Sequence, residues 1–230
     1  MTELKKRQLS PRDTHPASSS TSSPATAVTV LATRPLMRWR GVDLITAAML
    51  AVAFGVVFWG FNTFVYPLLS AATSGFPPVA ELMLGVWLLP AVVGGLVVRR
   101  PGAALFTELV AANVSMVLGS QWGAAVLLSG LLQGLGVELV LALFRHRRFG
   151  LPVAVLGGVL SAVFEIVFYE WQSYVAEFST LWKAIYLGCG MVSGAVVAGA
   201  GGWYLVRALA RTGSLNAFPA GQEVRESNPV

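Results

Sequence analysis

Residues 101–140 read PGAALFTELVAANVSMVLGSQWGAAVLLSGLLQGLGVELV, and the reading of the whole chain turns on this stretch. Two apolar runs meet at a short turn, Gly119-Ser120-Gln121-Trp122-Gly123, and Glu108, Asn113, Gln133 and Glu138 lie within them. A carboxylate at bilayer depth costs about 2.5–3.5 kcal/mol on insertion scales, so it faces a protein interior or a cavity. The hairpin is therefore read as one wall of a polar site inside a membrane protein.

Composition supports that reading. The 230 residues are 55% hydrophobic and 12% charged, where a soluble domain carries roughly 25% charged residues. Mean hydropathy is +0.68. The net charge of +5 is not a nucleic-acid stripe: of the sixteen basic residues, Lys5, Lys6, Arg7, Arg12, Arg34, Arg38 and Arg40 lie in the first forty positions. Most of the others form short clusters beside apolar runs, which is a topology signal. Cys189 is the single cysteine, so an intrachain disulfide is excluded. His15 and His146 lie in a polar tail and a basic loop, and no His/Cys cluster suits a metal. No phosphate-binding loop, nucleophile elbow or zincin motif is present, so no catalytic residue and no cofactor is expected.

Six apolar segments follow one another at about 43–68, 79–98, 101–118, 122–144, 151–171 and 182–208. Each approaches the roughly 20 residues that a membrane-crossing helix needs. Arg99 and Arg100, then Arg145, Arg147 and Arg148, fall in alternate connections, while the others hold no Lys or Arg except Lys183. The positive-inside rule then puts both termini in the cytoplasm. The expected architecture is an all-α integral membrane bundle of six transmembrane helices over 38–211. A disordered cytoplasmic tail over 1–37, rich in Ser, Thr and Pro, precedes it, and a flexible cytoplasmic tail over 212–230 follows.

A polar and aromatic group should gather towards the outer half. Trp59, Asn62 and Tyr66 share one face of the first helix, and Ser161, Glu165, Tyr169 and Gln172 share one face of the fifth. Gln121 and Trp122 sit at the outer turn. Aromatic faces attract positive charge and stack on flat rings, while carboxylates and amides orient a ligand in an apolar wall. Trp and Tyr are also recruited to membrane interfaces with no ligand involved. Glu81, Glu170 and Glu177 lie near water and are read as solvated. Ala47, Ala51 and Gly55 form a small-residue stripe that lets another helix approach closely.

The phrases FGVVFW at 54–59, RRPGAALFTEL at 99–109, GSQWG at 119–123 and QGLGVEL at 133–139 resemble the YkoE-type S components of energy-coupling factor (ECF) transporters. The resemblance spans about 38–210. It implies a six-helix subunit that captures thiamin or its hydroxymethylpyrimidine precursor from outside. Such a subunit works in the lipid bilayer with a transmembrane coupling protein and two cytosolic ABC-type ATPases. It also implies that Ala47 and Ala51, extended by Gly55, face the coupling protein. For the pocket, Glu108 and Glu165 are assigned to amino or cationic groups of the ligand. Trp59, Trp122 and Tyr169 are assigned to stacking or closure, and Asn62, Asn113, Gln121 and Gln133 to hydrogen bonds, with Tyr66 and Glu138 also included as substrate-binding residues. The rival reading is an ion-coupled secondary transporter for a small cationic or heteroaromatic solute, using Glu108 at mid-depth and a fifth helix loosened at Gly157-Gly158.

Overall fold

The computed structural model describes residues 38–227; the tail expected over 1–37 and the last three residues lie outside that range. The described residues form a helical bundle. Its first rod is α1 (Gly41–Gly60), a π-helical turn at Phe61–Val65, and α2 (Tyr66–Ala72). A 3-10 helix (Pro77–Val86) leads into α3 (Leu89–Val98), and α4 (Ala103–Val117) and α5 (Ala125–Leu143) follow. The fifth rod is α6 (Leu151–Glu165), a π turn at Ile166–Glu170, and α7 (Trp171–Ser173). The sixth is α8 (Thr180–Ser193), a π stretch at Gly194–Gly201, and α9 (Gly202–Arg211); a short α10 (Pro219–Ser227) closes the chain.

Five of these rods are long and apolar enough to cross a membrane; Ala103–Val117 is apolar but shorter, at 15 residues. At 1.5 Å per residue α4 extends about 22 Å, less than the roughly 30 Å of a hydrocarbon core. The second rod is the most enclosed. Every residue of α3 from Pro90 to Val98 is buried, among α1, α4, α5, α6 and α9.

Small residues set the seams. Ala47 and Ala51 are fully buried, and a Cβ on Gly55 would lie 2.5 Å from Val114 Cβ. The stripe expected to meet a coupling protein is thus the seam between α1 and this chain's own α4. The spacing showed that a helix packs there, and the helix that does so is internal. The Gly157-Gly158 pair does not loosen α6, which runs unbroken through it. A Cβ on Gly158 would meet the Gly194 carbonyl oxygen at 2.1 Å, so α6 and the sixth rod touch backbone to backbone.

Apart from Lys183 in the first turn of α8, the basic residues gather at one end. Asp43 stands in the first turn of α1 and accepts from the Arg40 backbone N–H at 3.0 Å and the Arg40 side chain at 2.6 Å. Its other partner is Arg100, at 3.6 Å. Glu138 accepts from the backbone N–H groups of Gly102 (2.7 Å) and Ala104 (3.2 Å) and lies 2.9 Å from His146 Nε2. The start of α4 therefore holds Glu138 at this end, because the first N–H groups of a helix have no partner within it. Arg99 ends α3 in the left-handed region (φ 54°), pairs with Glu223 of α10 through its two terminal guanidinium nitrogens, and lies over the Phe149 ring at 4.7 Å. Leu215, Phe218, Ala220 and Val224 are buried. The segment after Arg211, expected as a flexible tail, is docked through these apolar contacts and the Arg99 pair.

Candidate functional site

A cavity of about 380 Å³ lies away from the basic end, running from Ser70, Pro77 and Phe178 inward to Glu108, Gln133 and Glu165. That volume falls within the roughly 300–1,000 Å³ of small-molecule sites. No Lys, Arg or His lines it.

Its inner end is a continuous polar chain. Pro90 opens α3, and the N–H of Ala91 in that first turn donates to Glu108 Oε2 at 2.9 Å. Glu108 is 1% exposed and caps α3 from the neighbouring helix. Turned so that its nitrogen faces acceptors, the Gln133 amide donates to Glu108 Oε1 (3.2 Å) and the Trp87 carbonyl (3.3 Å), and its oxygen lies 2.8 Å from Ser129 Oγ. Ser129 Oγ is in turn 2.5 Å from Glu165 Oε1. Ser161 Oγ donates to the Gln133 carbonyl at 2.7 Å, fixing α5 against α6 beside this chain.

Aromatic rings make a second wall. Tyr66, Trp87 and Trp122 meet edge to face, with centroids 5.1–5.7 Å apart. Trp87 Nε1 donates to Asn62 Oδ1 at 3.0 Å, which holds the indole in place. The third wall holds Glu81 on the 3-10 helix, Glu170 on the π turn and Tyr186 on α8. A 3-10 stretch makes backbone hydrogen bonds of poorer geometry, which costs most where water is scarce. Ser193 supplies partners here, accepting from Gly85 N–H at 2.9 Å and donating to the Leu82 carbonyl at 2.6 Å.

The cavity thus brings together Asn62, Tyr66, Glu108, Trp122, Gln133 and Glu165 of the residues singled out from the sequence. Five do not reach it. Trp59 packs on Phe64 on another side of the first rod. Asn113 is exposed, because the inward face of α4 carries Glu108, Ala112 and Ser115. Gln121 is exposed in its turn, Glu138 caps α4 at the basic end, and Tyr169 pairs with Tyr174, their hydroxyls 3.2 Å apart. Sequence reasoning missed Trp87, Tyr186 and the two carboxylates read as solvated, Glu81 and Glu170. Glu170 is 7% exposed. The signal available for these two was their charge beside long apolar runs. Tyr174, just after α7, also lines the cavity and was not singled out from the sequence; its phenol is pushed up, chiefly by burial and then by its bond to Tyr169.

Comparison with known proteins gives three matches. A family model described as "ABC-type cobalt transport system, permease component" matches residues 42–164. The "Putative HMP/thiamine permease protein YkoE" of Bacillus subtilis (strain 168) is 33% identical over 189 residues, covering 82% of this chain and 93% of that protein. A solved "Crystal structure of an S-component of ECF transporter" superposes with a TM-score of 0.77 at 32% identity, covering 83% of this chain and 95% of the other.

The chain belongs to the YkoE-like family of ECF S components. As an S component it is the substrate-binding subunit of a transporter in the plasma membrane, and its role is transport rather than catalysis. The family implies a small-molecule substrate and an ECF coupling module with ATPases. Among the described residues of this S component, no group of three or more His, Cys, Asp or Glu side chains could hold a metal ion.

Proposed function

We propose that this S component captures thiamin or its hydroxymethylpyrimidine precursor from outside the cell. It hands the ligand inward with a transmembrane coupling protein and two cytosolic ABC-type ATPases. The observation that carries this reading is the pairing of a carboxylate–amide chain, Glu108–Gln133–Ser129–Glu165, with the ring wall of Tyr66, Trp87 and Trp122 in one cavity lined by no cationic side chain. An aminopyrimidine offers N–H donors and ring acceptors for the first and a flat face for the second. The positive-inside rule supports placing the basic end in the cytoplasm, which opens the cavity to the outside.

Titration of the detergent-purified chain with each compound, followed by tryptophan fluorescence, tests the reading. Trp87 and Trp122 line the cavity, so saturable quenching at submicromolar ligand is expected. Failure of both compounds to bind folded protein, confirmed by calorimetry, would overturn it.

A further inference from the structure

We infer that a second cavity, at the basic end, binds a phosphate ester of the kind an anionic lipid headgroup presents. The Arg99 and Arg207 guanidinium groups recognise it, and Glu223 is the internal anion it displaces. The inference is independent of the vitamin reading, because no residue of this cavity lines the first one.

The cavity, of about 110 Å³, lies between the end of α3, α9 and α10, beside Phe149. It is well under the roughly 300–1,000 Å³ of sites that enclose a whole small molecule, and suits one group entering from outside. Arg99 is fixed on three sides. Its Nε donates to the Leu96 carbonyl at 3.1 Å, its guanidinium lies 4.7 Å from the Phe149 ring centre, and its two terminal nitrogens hold the Glu223 carboxylate. A guanidinium fork fits phosphate as it fits carboxylate, with two parallel bonds to two oxygens. Glu223 thus marks the place of an anion, and it is free to leave. Its side chain is 62% exposed, against 12% for Arg99, so the carboxylate sits at the mouth and the fork stays behind.

Arg207 supplies the second charge. It stands one turn beyond Trp203 on α9, with its guanidinium 4.7 Å from that ring, and among the described residues no carboxylate forms an ion pair with it. Within the cavity, two guanidinium groups therefore face one carboxylate. The ring of Trp203 meets that of the exposed Tyr204 at 4.9 Å, and Trp and Tyr are recruited to the headgroup level of a bilayer. With the basic end towards the cytoplasm, this is a basic pocket between membrane helices on the side where such pockets take anionic headgroups. A soluble phosphate ester shares the chemistry; the rings beside the cavity favour the lipid.

Calorimetry of the purified full chain in detergent, with short-chain phosphatidylglycerol, short-chain phosphatidylcholine and glycerol phosphate as probes, tests the inference. Phosphatidylglycerol should bind one to one and raise hydrogen exchange over 215–226 as α10 is freed. Phosphatidylcholine, which brings its own cation, should bind more weakly. Arg207→Gln should weaken phosphatidylglycerol binding about fivefold or more, with melting temperature and quenching by thiamin unchanged. Glu223→Gln should strengthen it, because the competing charge is gone; weaker binding would make Glu223 part of the wall and overturn the inference. Equal affinity for the two lipids overturns it, and so does an Arg207→Gln protein that binds phosphatidylglycerol as the wild type does. Glycerol phosphate bound as tightly as the lipid upholds the phosphate site and assigns it to a soluble ester, whereas much weaker binding assigns it to the headgroup. Failure of all three probes on folded protein overturns the inference and leaves the vitamin reading intact.

Discussion

Glu108 has two tasks, and they can be separated by substitution. Its Oε2 caps the Ala91 N–H, and its Oε1 faces the Gln133 amide. Glu108→Gln keeps an acceptor for Ala91 and should leave the melting temperature nearly unchanged, while weakening ligand binding about tenfold through the lost charge-assisted bond. Glu108→Leu should also destabilise, by about 1–3 kcal/mol, because a buried N–H is left unpaired. Equal melting temperatures for the two variants would sink the capping argument. That Glu108 faces inward was legible from the cost of its depth alone. The same logic misplaced Glu138, since depth says that a carboxylate needs a partner without saying which. Its partners are backbone N–H groups of α4, which no side-chain pattern reveals. Asn113 fails for a simpler reason: five residues past Glu108, it points about 140° away on a regular helix.

Among the elements, the two π turns explain most of the remaining differences. At 100° per residue, Glu165 selects Tyr169 as its companion on the inward face. The π turn at Ile166–Glu170, with the Trp171 N–H bonded five residues back to Ile166, widens the helix and brings Glu170 onto that face. A similar turn at Phe61–Val65 keeps Phe58, Asn62, Tyr66 and Ser70 on one wall and leaves Trp59 out. Helix positions and lengths were readable because apolar runs and Arg clusters bound them. Where a helix changes its winding depends on tertiary packing, which a periodic template does not see. Seams between elements yield a further test. Gly158→Ala drives a methyl group into the Gly194 carbonyl and should destabilise by about 2 kcal/mol or more, whereas Gly188→Ala, with nothing within 4 Å, should be neutral. Thermal unfolding in detergent distinguishes them, and similar stability for both would count against backbone contact at that seam.

For the whole molecule, the basic end acts as a tie. Arg40, Asp43 and Arg100 join the start of α1 to the α3–α4 connection, and Arg99 joins that connection to α10. The Arg99 guanidinium, chiefly by hydrogen bonding, holds the Glu223 carboxyl below its ordinary value. A lowered carboxyl value means that this pairing favours docking at pH above the ordinary glutamate range, near 4.3, and is lost as pH falls through the lowered value. Hydrogen exchange over 215–226 should therefore rise in acid for the wild type. Glu223→Gln should show raised exchange already at neutral pH, and identical exchange in the two proteins would show that α10 is held by its apolar contacts alone. The sequence did not announce this docking, because a short polar segment reads as free until its few apolar residues find a surface.

The π turn at Ile166–Glu170 also bears on how such a cavity tolerates change over generations. A helix that already carries one residue more than its regular winding can lose one. Deleting a single codon within 166–169 would restore the ordinary ladder and leave Glu165 and Glu170 four residues apart, both still directed inward. The same loss within 159–164 would turn Glu165 relative to the seam at Gly158. Two deletions of equal size in one rod thus have opposite prospects of leaving a working descendant.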